Sequence, residues 1–203
     1  MTDRPPVDFD ETRRALMGRL EKTGGLRKSF KTPREYGSEN KRLKDLSEAD
    51  ELTGLFNRRR FEKELESGID RFKRYRESFS LINLDLRQFK DINDKFGHGE
   101  GDKALRMFAD FLTQNIRDVD YAFRAGGDEF ILLLPKTGYE KSEEIMHRLG
   151  TGLEKYKKDT NKENPAAGLI NMNYSVKEWS SDDTKEKFLA ALDKKMFEQK
   201  RGK

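Results

Sequence analysis

Apolar residues return along this chain at two intervals, and the intervals mark out its elements. From Asn57 onward, Phe61, Leu65, Ile69 and Phe72 recur at helical spacing with charged residues between them, which predicts an amphipathic helix capped by Asn57. Phe79 to Leu86 alternates instead: Ile82, Leu84 and Leu86 fall on one face of a predicted strand, and Leu81, Asn83 and Asp85 on the other. A short helix and a glycine-broken loop are expected up to Asp102, then a helix from Lys103 to Ile116 with Leu105, Phe108, Phe111 and Leu112 as its core stripe. Val119 to Phe123 and the apolar run Phe130 to Leu134, closed by Pro135, read as a hairpin with Gly126, Gly127, Asp128 and Glu129 at its tip. Gly138 to Tyr156 predicts a helix with Ile145, Leu149 and Leu153 inward, and Gly168 to Val176 a strand. The last helix is predicted from about Thr184 to Gln199, burying Phe188, Leu189, Leu192 and Met196. A hairpin inside this order forces antiparallel pairing, so the expected fold is α/β of the α+β kind: a mixed, largely antiparallel central sheet flanked by helices.

Residues 1–46 break the rhythm. Pro5, Pro6, Gly24, Gly25, Pro33 and Gly37 in a basic, polar background predict a linker-like arm, with a thin apolar face of Phe9, Leu16, Met17 and Leu20 and a short helix over Ser38 to Ala49. The domain proper is expected over residues 47–203. Charge adds little: 42 Lys+Arg against 38 Asp+Glu gives no case for a nucleic-acid partner and fits the handling of an anionic small molecule. The absence of Cys excludes disulfides and fits a reducing compartment. With no apolar run of membrane-spanning length and no basic-then-apolar leader, no membrane association and a cytoplasmic location are expected.

The candidate chemistry sits at the hairpin tip. Gly126 and Gly127 can take positive φ and lack side chains, so the backbone can turn sharply and admit a bulky anionic ligand. Asp128 and Glu129 place adjacent carboxylates there, hard oxygen donors suited to Mg²⁺, which usually arrives with phosphates. Asp85 falls near the C-terminal end of its strand, a position that commonly borders active sites in α/β proteins. A Gly-Gly-Asp tip alone is more often a solvated turn than a site, so the weight falls on what accompanies it.

The accompaniment is specific. Asp50 to Arg59 reads Asp-Glu-Leu-Thr-Gly-Leu-Phe-Asn-Arg-Arg; Asp85 to Lys90, Asn93 to His98, Gly101-Asp102, the hairpin and Lys200 follow in order. Over roughly residues 47–203 the chain resembles GGDEF-domain diguanylate cyclases, for which Gly126 to Phe130 is the name-giving motif. The resemblance implies a fold akin to nucleotidyl cyclases and polymerase palms. It implies condensation of two GTP into cyclic di-GMP with release of pyrophosphate, one GTP per subunit of a homodimer. It further implies that Asp85, the Leu86 carbonyl, Asp128 and Glu129 hold Mg²⁺, with Mn²⁺ as a substitute ion. Asp128 would accept the proton, Lys90 neutralise phosphate charge, and Glu129 assist. Phe89 and Lys90 backbone N–H groups and Lys200 would hold phosphates; Asn93 and Asp102 would read guanine; Arg117 and Asp120 would form a product-inhibition site.

The Asp50–Arg59 stretch and His98 read as architectural, and His147 as a helix-face residue. Three departures stand out: Arg87 where the family often has Asp, Lys177 where glycine is usual and the last strand is expected to suffer, and an ending Lys200-Arg-Gly-Lys203 in place of Lys-x-x-Gly-Arg-Asn. An alternative reading is a degenerate domain that binds GTP or cyclic di-GMP as a regulatory module without turnover.

Overall fold

The alternating stretch Phe79–Leu86 becomes the strand on which the sheet is built. The structure, a computed structural model, describes residues 48–160 and 166–201. The arm over residues 1–46, nearly all of the helix expected before Ala49, and Lys203 lie outside the described residues. Five strands are β1 (Phe56–Asn57), β2 (Phe79–Leu86), β3 (Tyr121–Gly126), β4 (Glu129–Pro135) and β5 (Met172–Glu178), ordered β1-β3-β4-β2-β5. Among the described residues only the β1–β3 pair is parallel, so the sheet is mixed and largely antiparallel, as the hairpin requires. Helices α1 (Arg58–Tyr75), α2 (Phe89–Phe96), α3 (His98–Asn115), α4 (Tyr139–Thr160) and α5 (Lys185–Arg201) cover its two faces.

Strand alternation decides which helix meets which face. Ile82, Leu84 and Leu86 of β2 with Phe130, Leu132 and Leu134 of β4 pack against Ile92, Phe108, Phe111 and Leu149 from α2, α3 and α4. Leu81, Ile131 and Leu133 point the other way, into Phe61 and Leu65 of α1 and Phe188 and Leu192 of α5. Each such large side chain removed from water contributes about 1.5–3 kcal/mol. On the second face Phe79 stacks on Trp179 at 5.6 Å while Phe188 meets Trp179 edge-on at 5.0 Å, fixing the β5–α5 corner. Asn57 caps α1 as expected, its side chain accepting from the backbone N–H of Arg59 (3.0 Å) and Arg60 (3.2 Å).

The differences from the expected elements have local causes. β1 is two residues long, too short for any period, and is defined by its parallel register with Phe123 and Arg124. Helix α3 begins at His98, not Lys103, so His98 opens a helix and does not sit in a loop. Gly97, at φ +85°, is the one break, whereas Gly101 continues the helix because a Cβ there would lie 1.9 Å from Asn93 Oδ1. β3 starts at Tyr121, since Val119 belongs to the turn closed by the Asp120 N–H to Arg117 carbonyl bond. β5 starts at Met172, since its partner β2 ends at Leu86, opposite Met172, and a longer strand would have no neighbour. Nor does Lys177 disturb that strand. It keeps register with Leu81, and its ammonium lies 4.9 Å from the Phe188 ring centroid and meets both oxygens of Asp183 at 2.8 and 2.7 Å. Among the described residues no helix is long and apolar enough to cross a membrane.

Candidate functional site

Alternation puts Asp85 on the α5 side of the sheet, at the end of β2, with Glu129 of β4 directly opposite in register. The Leu86 N–H donates to the Asp128 carbonyl at 3.2 Å, so the strand end and the hairpin turn are tied together. Gly127 turns with φ +53° and Gly126 lies at φ +154°, and the register shifts between Arg124 and Gly126. No atom would lie within 4 Å of a Cβ at Gly127, so the demand for glycine there is conformational, not steric. The bulge and the turn present Asp128 and Glu129 beside Asp85.

The tip is held from below. Arg124 donates through Nε and Nη2 to the Gly127 carbonyl at 2.9 and 2.7 Å, and through Nη1 to Asp50 Oδ1 at 3.0 Å. Asp50 also accepts from the Thr53 N–H (2.9 Å) and hydroxyl (2.7 Å). Partial burial pushes the Asp50 carboxyl up, but the bonds from Thr53 and Arg124 outweigh it and leave the group below its usual value. The stretch beginning at Asp50 is therefore architectural in a specific sense: it anchors the guanidinium that fixes the hairpin turn. Sequence reasoning did not single out Arg124. Its signal is a basic residue three positions before a turn glycine, long enough to fold back on that glycine's carbonyl.

The tip and the β2 end border an open recess of about 550 Å³ lined by Leu86, Phe89 and Lys90 together with Asp85, Asp128 and Glu129. Lys200, from the last turn of α5, closes it with its ammonium 2.6 Å from Asp85 Oδ2. Asn173 of β5, opposite Asp85 in register, also lines the recess and was not foreseen. Gln88, at φ 55°, gives α2 no side-chain cap, so the first-turn N–H groups of Phe89 and Lys90 are left for an outside acceptor.

A hard divalent cation fits this donor set in part. Among the described residues no three His, Cys, Asp or Glu side chains form a ready metal cage. Two or three carboxylates and a backbone carbonyl beside helix N–H groups match the usual Mg²⁺ arrangement, in which substrate phosphates and water complete the shell. Asp85, Leu86, Asp128 and Glu129 would hold it.

Asn93 and Asp102 stand apart from the recess, on α2 and near the start of α3. Gly101 lets the two helices close there, against Asn93 Oδ1 and the Phe89 ring. Arg117 and Asp120 are elsewhere again, closed on each other: Arg117 N–H and Nε donate to Asp120 Oδ2, both at 3.0 Å, and Nη2 to Oδ1 at 2.7 Å. Nη2 also donates to the Thr137 hydroxyl at 2.9 Å. His147 is exposed on α4, as expected. Arg87 is half-buried, and its backbone N–H, donating to the Asn171 carbonyl at 2.7 Å, is spent on the chain.

Comparison with known proteins gives a consistent result. The family described as "Diguanylate cyclase, GGDEF domain" matches residues 47–203. Diguanylate cyclase DgcS of Shewanella oneidensis is 47% identical over 85 residues, covering 42% of this chain and 29% of that protein. Diguanylate cyclase DgcP of Pseudomonas aeruginosa is 41% identical over 111 residues, covering 55% of this chain and 16% of that protein. The chain thus spans less than a third of these curated relatives. Diguanylate cyclase SiaD of Pseudomonas aeruginosa, solved with its activator SiaC, superposes with a TM-score of 0.67 at 27% identity, covering 95% of this chain and 72% of that one. The active GGEEF domain of a diguanylate cyclase from Vibrio cholerae gives 0.64 at 28% identity, covering 73% and 92%. With its mixed sheet, its glycine turn and its matched span, the chain belongs to the GGDEF-domain family of diguanylate cyclases.

Proposed function

We propose that this chain condenses two GTP into cyclic di-GMP, with one GTP per subunit of a homodimer and a cytoplasmic site of action. The observation that carries the reading is the convergence of Asp85, Asp128 and Glu129 on a recess whose far wall is the uncapped N-terminus of α2 and Lys90. In each half-reaction the 3′-oxygen of one GTP forms a bond to the α-phosphorus of the other. The α–β phosphoanhydride bond breaks, and pyrophosphate leaves. Asp128 takes the hydroxyl proton. The Phe89 and Lys90 N–H groups and the Lys90 ammonium receive charge gathering on the phosphate oxygens, and Lys200 grips the triphosphate. Mg²⁺, or Mn²⁺ in its place, supplies Lewis-acid polarisation of the phosphate when bound. Asp102, with Asn93, reads guanine: its carboxylate accepts from N1–H and the exocyclic amine, a donor pair that adenine lacks. Arg117 and Asp120 open from their mutual pair to hold product and slow the enzyme.

The second reading, nucleotide binding without turnover, is favoured by one feature: Lys200 already occupies Asp85. Incubation with GTP and Mg²⁺, with nucleotides separated by chromatography, distinguishes the two. Cyclic di-GMP and pyrophosphate in 1:2 ratio is the expected result; bound but unconverted GTP would establish the binding module instead.

A further inference from the structure

Asp85 is both the most enclosed carboxylate of the recess and the one already taken. Its side chain is 13% exposed, and the Lys200 ammonium sits 2.6 Å away on a stem that is 42% exposed. A buried carboxylate needs a counter-charge, and the Lys200 ammonium supplies it on the carboxylate that would hold a divalent cation. The two positive groups compete for it, because each repels the other at one carboxylate. The last turn of α5 also carries Lys200 and Arg201, where the helix C-terminus favours cations, so the ammonium is held in place by two fields.

Asn173 supplies the second, independent observation. It is 6% exposed, stands opposite Asp85 in the β2–β5 register, and its Oδ1 has no hydrogen-bond partner among the described residues. An acceptor buried without a donor next to an occupied carboxylate is a site prepared for a positive group it does not yet hold.

We propose that Lys200 is a placeholder cation: it neutralises Asp85 while the recess is empty and shifts toward Asn173 and the incoming phosphates when a divalent cation takes Asp85. This rests on the reading of Asp85 as a metal-holding residue. Its consequence is linkage. Without nucleotide the metal must displace an ammonium already paired with Asp85, so it binds weakly. With nucleotide the phosphates receive that ammonium, and each ligand favours the other equally. Lys200 is then a positioning residue for the metal as well as a phosphate contact.

The test uses Mn²⁺ as probe, titrated by electron paramagnetic resonance into the nucleotide-free chain, with Lys200→Met and Lys90→Met beside the parent. Lys90 is exposed on the rim of the same recess and controls for bulk charge. Lys200→Met is expected to bind Mn²⁺ about tenfold tighter than the parent, within the ordinary range of site coupling, while Lys90→Met stays within about threefold. Lys200→Met binding no tighter than the parent, or Lys90→Met gaining as much, overturns the proposal. The titration needs no turnover, so a chain that makes no cyclic di-GMP refutes the proposed activity without deciding this point.

Discussion

Arg124→Ala is the perturbation that most directly tests how the fold delivers the site. The change removes two bonds to the Gly127 carbonyl and one to Asp50, which keeps only its two bonds from Thr53. Hydrogen bonds to charged groups contribute about 1.5–3 kcal/mol each, but they act as one fork here and partial exposure screens them. The Arg124 and Asp50 side chains are 12% and 24% exposed, so a net loss of about 2–3 kcal/mol is expected, less than for a fully buried pair. For a domain of this size that lowers Tm by roughly 4–12 °C. Activity should fall further than stability, because the turn carries Asp128 and a shift of about 1 Å at reacting groups costs roughly a hundredfold. Arg124→Lys should recover part of the stability and little of the activity, since an ammonium cannot fork between the turn carbonyl and Asp50. Denaturant unfolding and cyclic di-GMP production are the assays, with an Asp50→Ala, Arg124→Ala double-mutant cycle to isolate the pair. Asp50 is lowered in the folded chain, so its contribution is present above the ordinary value of 3.8 and disappears as pH falls toward the depressed folded value. The coupling between the two residues should vanish across that acidic window. Arg124→Ala unfolding within about 0.5 kcal/mol of the parent, with turnover within about threefold, would refute the clamp.

Three further substitutions address single residues. Asp128→Asn should abolish synthesis with the fold intact, since it removes charge and no packing; a drop of less than about tenfold, ~1.4 kcal/mol of barrier, sinks the proton-acceptor role. Asp102→Ser should erode the choice of GTP over ATP in a competition assay, and an unchanged preference would show that the guanine reader is elsewhere. Arg117→Ala should relieve inhibition by cyclic di-GMP and weaken its calorimetric affinity; equal affinity and equal inhibition would leave Arg117 and Asp120 as the ion pair that the structure shows.

Periodicity made the fold legible wherever an element is long enough to repeat. β2 alternates across two separate cores, so its reading assigned Leu81 and Ile82 to opposite sides before any partner was known. What escaped was set by contacts between distant residues. β1 is defined by its pairing with Phe123 and Arg124, and the start of β5 is dictated by the end of β2. The glycine-rich stretch before Lys103 looked like a loop because Gly99 and Gly101 are poor helix formers. Gly101 is in fact selected by the helix–helix approach at Asn93, a constraint that propensity does not contain.

The site divides along the same line. Asp85, Asp128, Glu129, Phe89, Lys90 and Lys200 were named through the family resemblance that the motifs carry, and the fold brings them to one recess. Spacing names side chains with chemistry of their own and passes over those that act through geometry. Arg124 was passed over because its partner Gly127 offers a carbonyl, which every residue has. Asn173 was passed over because its meaning comes from the β2–β5 register that faces it with Asp85. Lys177 shows the converse error: a residue unusual for its motif was expected to damage the strand, yet Asp183 and Phe188 accommodate it. Both errors have one cause. A motif fixes what a residue can do at its own position, while turns, sheet register and packed helices decide whether a partner is within reach: Gly127 and Asp50 for Arg124, Asp85 opposite Asn173, Asp183 for Lys177.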